Sequence, residues 1–156
     1  MKYKKIIFLD EENTFWGPVA EMMLKQMLHG TRFTPENLHI LSRGNVVLFP
    51  EPINQKAVEI ACRNGLSIAD HVAEQMKNED FSENTLVLAL DNDSKKKAYS
   101  KYTSAANVFT LREYVGEHGD IKFQPGKAVA EYSDVYNILE RTVGLLKDKL
   151  LEKSSS

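Results

Sequence analysis

Four short apolar runs, separated by stretches with helical spacing, constrain this chain more than any other feature. "KKIIFLD" at 4–10 reads as a buried strand, "NLHILS" at 37–42 as a second, "NTLVLALD" at 84–91 as a third and "NVFTL" at 107–111 as a fourth. The third run is almost continuously apolar, as happens when helices cover both faces of a sheet. Residues 18–29 predict a helix, with Pro18 at a permitted first position and Val19, Met23 and Met27 spaced by four. A helix over 55–64 is ended by Gly65, and Gly44 closes the second strand. Residues 93–102 predict a polar helix. Over 128–151, Tyr132, Val135, Tyr136, Leu139, Val143, Leu146 and Leu150 step by threes and fours along one face. Strands alternating with helices give an α/β fold with a parallel, doubly wound sheet. Such sheets hold ligands beyond the carboxyl ends of their strands, at the switch point. The turn after the first strand, residues 10–17, is therefore the candidate site.

The remaining sequence narrows the class. A length of 156 residues suits one domain, expected over 1–151, with a disordered tail at 152–156 ending in "SSS". The net charge of -2 gives no bulk attraction to nucleic acid or anionic lipid. No apolar run approaches the roughly 20 residues of a membrane helix, and no signal sequence precedes the first strand. A cytoplasmic protein without nucleic-acid or membrane partners is expected, as a monomer or weak homodimer, with no cofactor and no metal. The single cysteine, Cys62, excludes an internal disulfide and reads as a small helix residue in or near the core.

The turn itself poses a conflict. A strand, a tight loop and a helix beginning at a proline present backbone N–H groups to an anion. Yet Asp10, Glu11 and Glu12 fill that loop with carboxylates. One reading makes Asp10 an internal anion in the cradle; the other makes it a cap of the turn or helix. Glu11 and Glu12 are expected to face solvent. Trp16, the sole tryptophan, either plugs the pocket or stands exposed as an interface anchor. Tyr132 and Tyr136 lie on the core stripe, Met22, Met23 and Met27 fill the core or its margin, and Lys95, Lys96 and Lys97 form a solvated helix face. Phe49 is a candidate for the pocket rim.

The whole chain, from residue 4 to about 151, resembles the low-molecular-weight protein tyrosine phosphatases, a family that includes some arsenate reductases. "DEENTFWGPVAE" follows the pattern C-x-x-N-x-x-R-S-P-x-A-E, keeping Asn13, Pro18, Ala20 and Glu21. "SRG" at 42–44, "NGLSIADHVAEQM" at 64–76 with His71 in register, "LVLALDND" at 86–93 and "QPGKAVAEYSDVYNILE" at 124–140 resemble later family segments in the same order. The resemblance implies a three-layer α/β/α fold with a four-stranded parallel sheet in the order 2-1-3-4. It implies a binding loop of Asp10, Glu11, Glu12, Asn13, Thr14, Phe15, Trp16 and Gly17. Asn13 would hold that loop in an unusual backbone conformation that asparagine tolerates, with Ser42 and His71 as supports.

The same resemblance implies chemistry that this chain lacks. The nucleophilic cysteine position is Asp10, the phosphate-gripping arginine Trp16, the thiolate-stabilising serine Gly17 and the general-acid aspartate Gln124. Cys62 lies outside any such loop. A charge on Asp10 about 4 Å from a phosphate would repel it by roughly 4 kcal/mol at an effective dielectric near 20. The expected function is that of an inactive phosphatase-like protein that binds an unidentified protein or small molecule. Two alternatives stand beside it. "IIFLDEENTF" also resembles the first motif of haloacid-dehalogenase-like phosphatases, with Asp10 as nucleophile, Glu12 and Thr14 in support, magnesium as cofactor and Asp91, Asp93 and nearby lysines downstream. The other is capture of a neutral or cationic small molecule by the altered pocket.

Overall fold

The computed structural model describes residues 3–154. It comprises β1 (Lys5–Asp10), α1 (Trp16–Leu28), β2 (His39–Gly44), α2 (Gln55–Arg63), β3 (Thr85–Ala89), α3 (Asn92–Lys101), β4 (Val108–Thr110), α4 (Leu111–Tyr114) and α5 (Val129–Ser154). A short 3₁₀ turn covers Asn78–Asp80. The strands form one parallel sheet in the order β2-β1-β3-β4, as the sequence led us to expect.

The pleat sorts β1 between two cores. Ile6 and Phe8 point to one face, where they join Leu86, Leu88 and the apolar stripes of α1, α2 and α5. Ile7 and Leu9 point to the other face, where they meet Val87, Ala89, Ala98 of α3, Tyr102 and Met76. All four β1 side chains are fully buried. Each contributes about 1.5–3 kcal/mol by leaving water, so the strand that ends in Asp10 is firmly fixed. The α5 stripe is buried as its spacing implied, including Tyr132 and Tyr136, with Val135 only partly covered.

Several boundaries differ from the sequence reading. Helix α1 starts at Trp16, not 18, so Pro18 occupies the third helical position. It is tolerated there because the first-turn N–H groups have no intrahelical acceptor. Strand β2 lies two residues later than expected, since its ladder begins where His39 N donates to Lys4 O. Helix α5 continues through Ser154; of the tail expected at 152–156, only residues 155–156 lie outside the described residues. Helix α4 is absent from the sequence reading. Its signal is "TLRE" at 110–113, a capping box in which Thr110 Oγ1 accepts from Glu113 N and Glu113 Oε2 accepts from Thr110 N. Cys62 is exposed, correcting the expectation of a core position. Ala57, Ile60 and Ala61 form the buried face of α2, and Cys62 lies about 100° round the helix from Ala61.

Candidate functional site

The site is built where the sheet reverses direction of growth. Strand β1 has β2 on one side and β3 on the other, and the β1–α1 loop leaves from its carboxyl end. The loop carbonyls are engaged by surrounding segments. Asp10 O accepts from Asn45 N, Glu11 O from Val46 N, and Thr14 O from Asn54 N, the residue that caps α2. His71 Nε2–H donates to Asn13 O at 2.9 Å. Asn13 adopts φ 62, the left-handed region, and its Oδ1 accepts from Glu74 N at 2.9 Å. With the carbonyls thus engaged, two loop N–H groups converge on the Asp10 side chain. Asp10 Oδ1 accepts from Asn13 N at 2.7 Å, and Oδ2 accepts from Gly17 N at 2.9 Å.

Gly17 makes this seat possible. A Cβ there would lie 2.7 Å from Asp10 Oδ2 and 3.1 Å from Cγ. A side chain at 17 would therefore push the Asp10 carboxylate out of its present seat. Gly44 serves the same crowded corner, since a Cβ there would meet Val47 at 2.7 Å and the Glu11 carbonyl oxygen at 3.0 Å.

Burial pushes the Asp10 carboxyl up to about 7. Its bonds to the Gly17 and Asn13 amides oppose the shift, and the nearby carboxylates of Asp91 and Glu12 add to it. In the folded chain Asp10 therefore keeps its proton to a higher pH than an ordinary aspartate does. Glu11 is exposed, as expected, and accepts from Lys97 Nζ at 2.6 Å. Glu12 is exposed.

A cleft of about 480 Å³ opens over the loop. Loop residues 10–16 form one side, and Asp91, Asp93 and Ser94 at the start of α3 with Ile121, Lys122, Phe123 and Pro125 form the other. Trp16 is 2% exposed and belongs to the main core, so it is not an exposed anchor. Phe15 packs beside it with ring centroids 4.6 Å apart and stacks on Phe123 at 4.5 Å. Phe123 is a site residue that the sequence reading misses; its only signal is its place just before the Gln124–Pro125 pair. Gln124 falls outside the cleft and lines a neighbouring depression, where its carbonyl accepts from Tyr132 Oη. Among the described residues, Ser42 has no side-chain hydrogen bond to the loop. Its hydroxyl donates to Glu21 Oε1 at 2.7 Å and so pins α1 to β2. Phe49 lines a separate depression beyond Glu11 and Glu12.

The residues of the magnesium alternative are only partly assembled. Asp10, Glu12, Asp91 and Asp93 share the cleft, but no lysine from 95–97 lines it. Lys95 pairs with Glu113 and Lys97 with Glu11. Among the described residues, no group of three or more His, Cys, Asp or Glu side chains is arranged to hold a metal ion. Among them, too, no helix is long and apolar enough to cross a membrane.

A parallel sheet in this order, with a strand–loop–helix cradle at the end of β1, defines a phosphatase-like α/β class. The chain belongs to the low molecular weight phosphotyrosine protein phosphatase family, whose model matches residues 5–156. It is 27% identical over 143 residues to the low molecular weight protein-tyrosine-phosphatase PtpB of Staphylococcus haemolyticus, covering 92% of this chain and 97% of that protein. The crystal structure of the low molecular weight protein tyrosine phosphatase from T. tengcongensis superposes with a TM-score of 0.84 at 26% identity, covering 93% of this chain and 98% of that one. The YwlE arginine phosphatase, in a mutant form with a phosphorylated active-site serine, matches with a TM-score of 0.82 at 28% identity, covering 94% of this chain and 95% of that one.

Proposed function

We infer that this chain is a catalytically inactive member of its family, one that keeps the scaffold for binding and has lost hydrolysis. The observation that carries this reading is the seat of Asp10. Its two carboxylate oxygens take the N–H groups of Asn13 and Gly17, donors that an incoming phosphate would need. No cysteine and no arginine stands between 10 and 17, so the loop supplies neither a thiolate nor a planar cationic grip. Gly17, by leaving room for the carboxylate, supports the view that the loop is adapted to Asp10 and not merely damaged. Relatives named as tyrosine or arginine phosphatases support a common ancestry of the scaffold, while the loop residues argue against the shared reaction in this chain.

The test is hydrolysis of p-nitrophenyl phosphate between pH 5 and 8, with and without magnesium. We expect no turnover above buffer in either series. Magnesium-independent turnover overturns the reading. Magnesium-dependent turnover that disappears in Asp10→Asn replaces it with an Asp10 nucleophile.

A further inference from the structure

Five of the residues lining the cleft carry carboxylates, against a single lysine. That lysine, Lys122, is taken by Asp93 at 2.7 Å, and Glu11 is taken by Lys97. Asp10, Glu12 and Asp91 have no ion-pair partner among the described residues. Asn13 and Trp16 are 0% and 2% exposed, and Asn13 Nδ2 and Trp16 Nε1 have no hydrogen-bond partner among the described residues. A buried donor left without an acceptor costs roughly 1–3 kcal/mol. The cleft thus has unmet demand for a positive charge, which a peptide residue with a cationic side chain supplies.

The surroundings suit a polypeptide better than a free amine. A second depression shares Glu11 and Glu12 with the cleft and continues past them to Leu48, Phe49 and Glu51. Leu48 is 87% exposed and Phe49 60%, so an apolar side chain next to the basic one would find partners there. Phe123 is half-buried and backed by the stacked ring of Phe15, which leaves an aromatic wall for a cation.

We propose that the cleft accepts the lysine or arginine side chain of a partner polypeptide, with a neighbouring apolar residue seated on Leu48 and Phe49. The proposal rests on the reading of the loop as inactive and names the chemistry of its occupant. Because Asp10 ionises near neutrality, the attraction grows as pH rises from 6 to 8.

Titration calorimetry with the full chain tests it. The probes are a blocked Gly-Arg-Leu-Gly peptide, its lysine and citrulline counterparts, agmatine and inorganic phosphate. We expect the arginine and lysine peptides to bind, and to bind more tightly at pH 8 than at pH 6. The neutral citrulline peptide and agmatine should each be weaker by about tenfold or more, a difference of about 1.4 kcal/mol. Glu12→Gln, an exposed change that leaves the core untouched, should weaken the arginine peptide by about three- to tenfold. Equal affinity for citrulline and arginine, agmatine binding as well as the peptide, no binding by either basic peptide, or tighter binding of phosphate each overturns the proposal. Loss of peptide binding in a protein that also shows no turnover sinks only this inference. Turnover of p-nitrophenyl phosphate sinks the reading beneath it.

Discussion

Asp10 carries a carboxyl that the fold both holds and strains. The amides of Asn13 and Gly17 favour its charge, while desolvation and the carboxylates of Asp91 and Glu12 oppose it, and the opposing effects prevail. The folded chain therefore keeps this proton to higher pH than the unfolded chain, where the ordinary value is 3.8. Between those limits the folded state binds more protons, so this group's contribution to stability falls as pH rises from about 4 to 7 and is level beyond. A shift from 3.8 to about 7 corresponds to a change on the order of 4 kcal/mol across that window. Other carboxyls work in the opposite sense; Glu113 is lowered, first by its bond to the Thr110 amide and then by Lys95. The contribution of Asp10 is isolated by comparing urea unfolding of wild type and Asp10→Ala at pH 5 and pH 8. Wild type should lose stability relative to the variant as pH rises. Parallel pH curves for the two proteins would show that Asp10 titrates normally.

The strand–loop–helix junction is the element on which the site depends. Its geometry couples residues 10 and 17, because a Cβ at 17 would sit 2.7 Å from Asp10 Oδ2. Overpacking of this kind costs about 1–3 kcal/mol. Gly17→Ser should destabilise the chain by about that amount, measured by denaturant midpoint. In Asp10→Ala the obstructing carboxylate is gone, so the same substitution should cost little. Direct contact makes such pairs non-additive by roughly 0.5–3 kcal/mol in general, and additivity here would mean that the loop moves aside freely. The junction is anchored well enough to resist such movement. His71 holds Asn13, Asn45 and Val46 hold Asp10 and Glu11, and Ser42 ties Glu21 of α1 to β2.

For the molecule as a whole, restoring the family's four chemical groups is a matter of packing as well as chemistry. Trp16 lies in the main core with Phe15, α1 and α5. Replacing it by arginine removes a large buried side chain and brings in an unpaired cation, a loss of about 3 kcal/mol or more. The variant Asp10→Cys, Trp16→Arg, Gly17→Ser, Gln124→Asp should therefore unfold at a lower denaturant concentration than wild type. It should hydrolyse aryl phosphates weakly under conditions where it remains folded. Wild-type stability with no hydrolysis would show that the scaffold has moved away from the reaction by more than these positions. The sheet and most of the helices were legible in the sequence, because apolar runs such as Ile6–Leu9 and the three–four steps of α5 report burial directly. The turn at the end of β1 was legible too, since it follows from strand order and the retained Asn13. What occupies that turn was not. The burial of Trp16, the room that Gly17 leaves for Asp10, the upward shift of the Asp10 carboxyl and the opposing wall of Asp91 and Phe123 all depend on contacts between segments distant in sequence. Local pattern sets which faces turn inward and hence the fold; only the packed chain sets the distances and dielectric that decide a charge, and with it the chemistry.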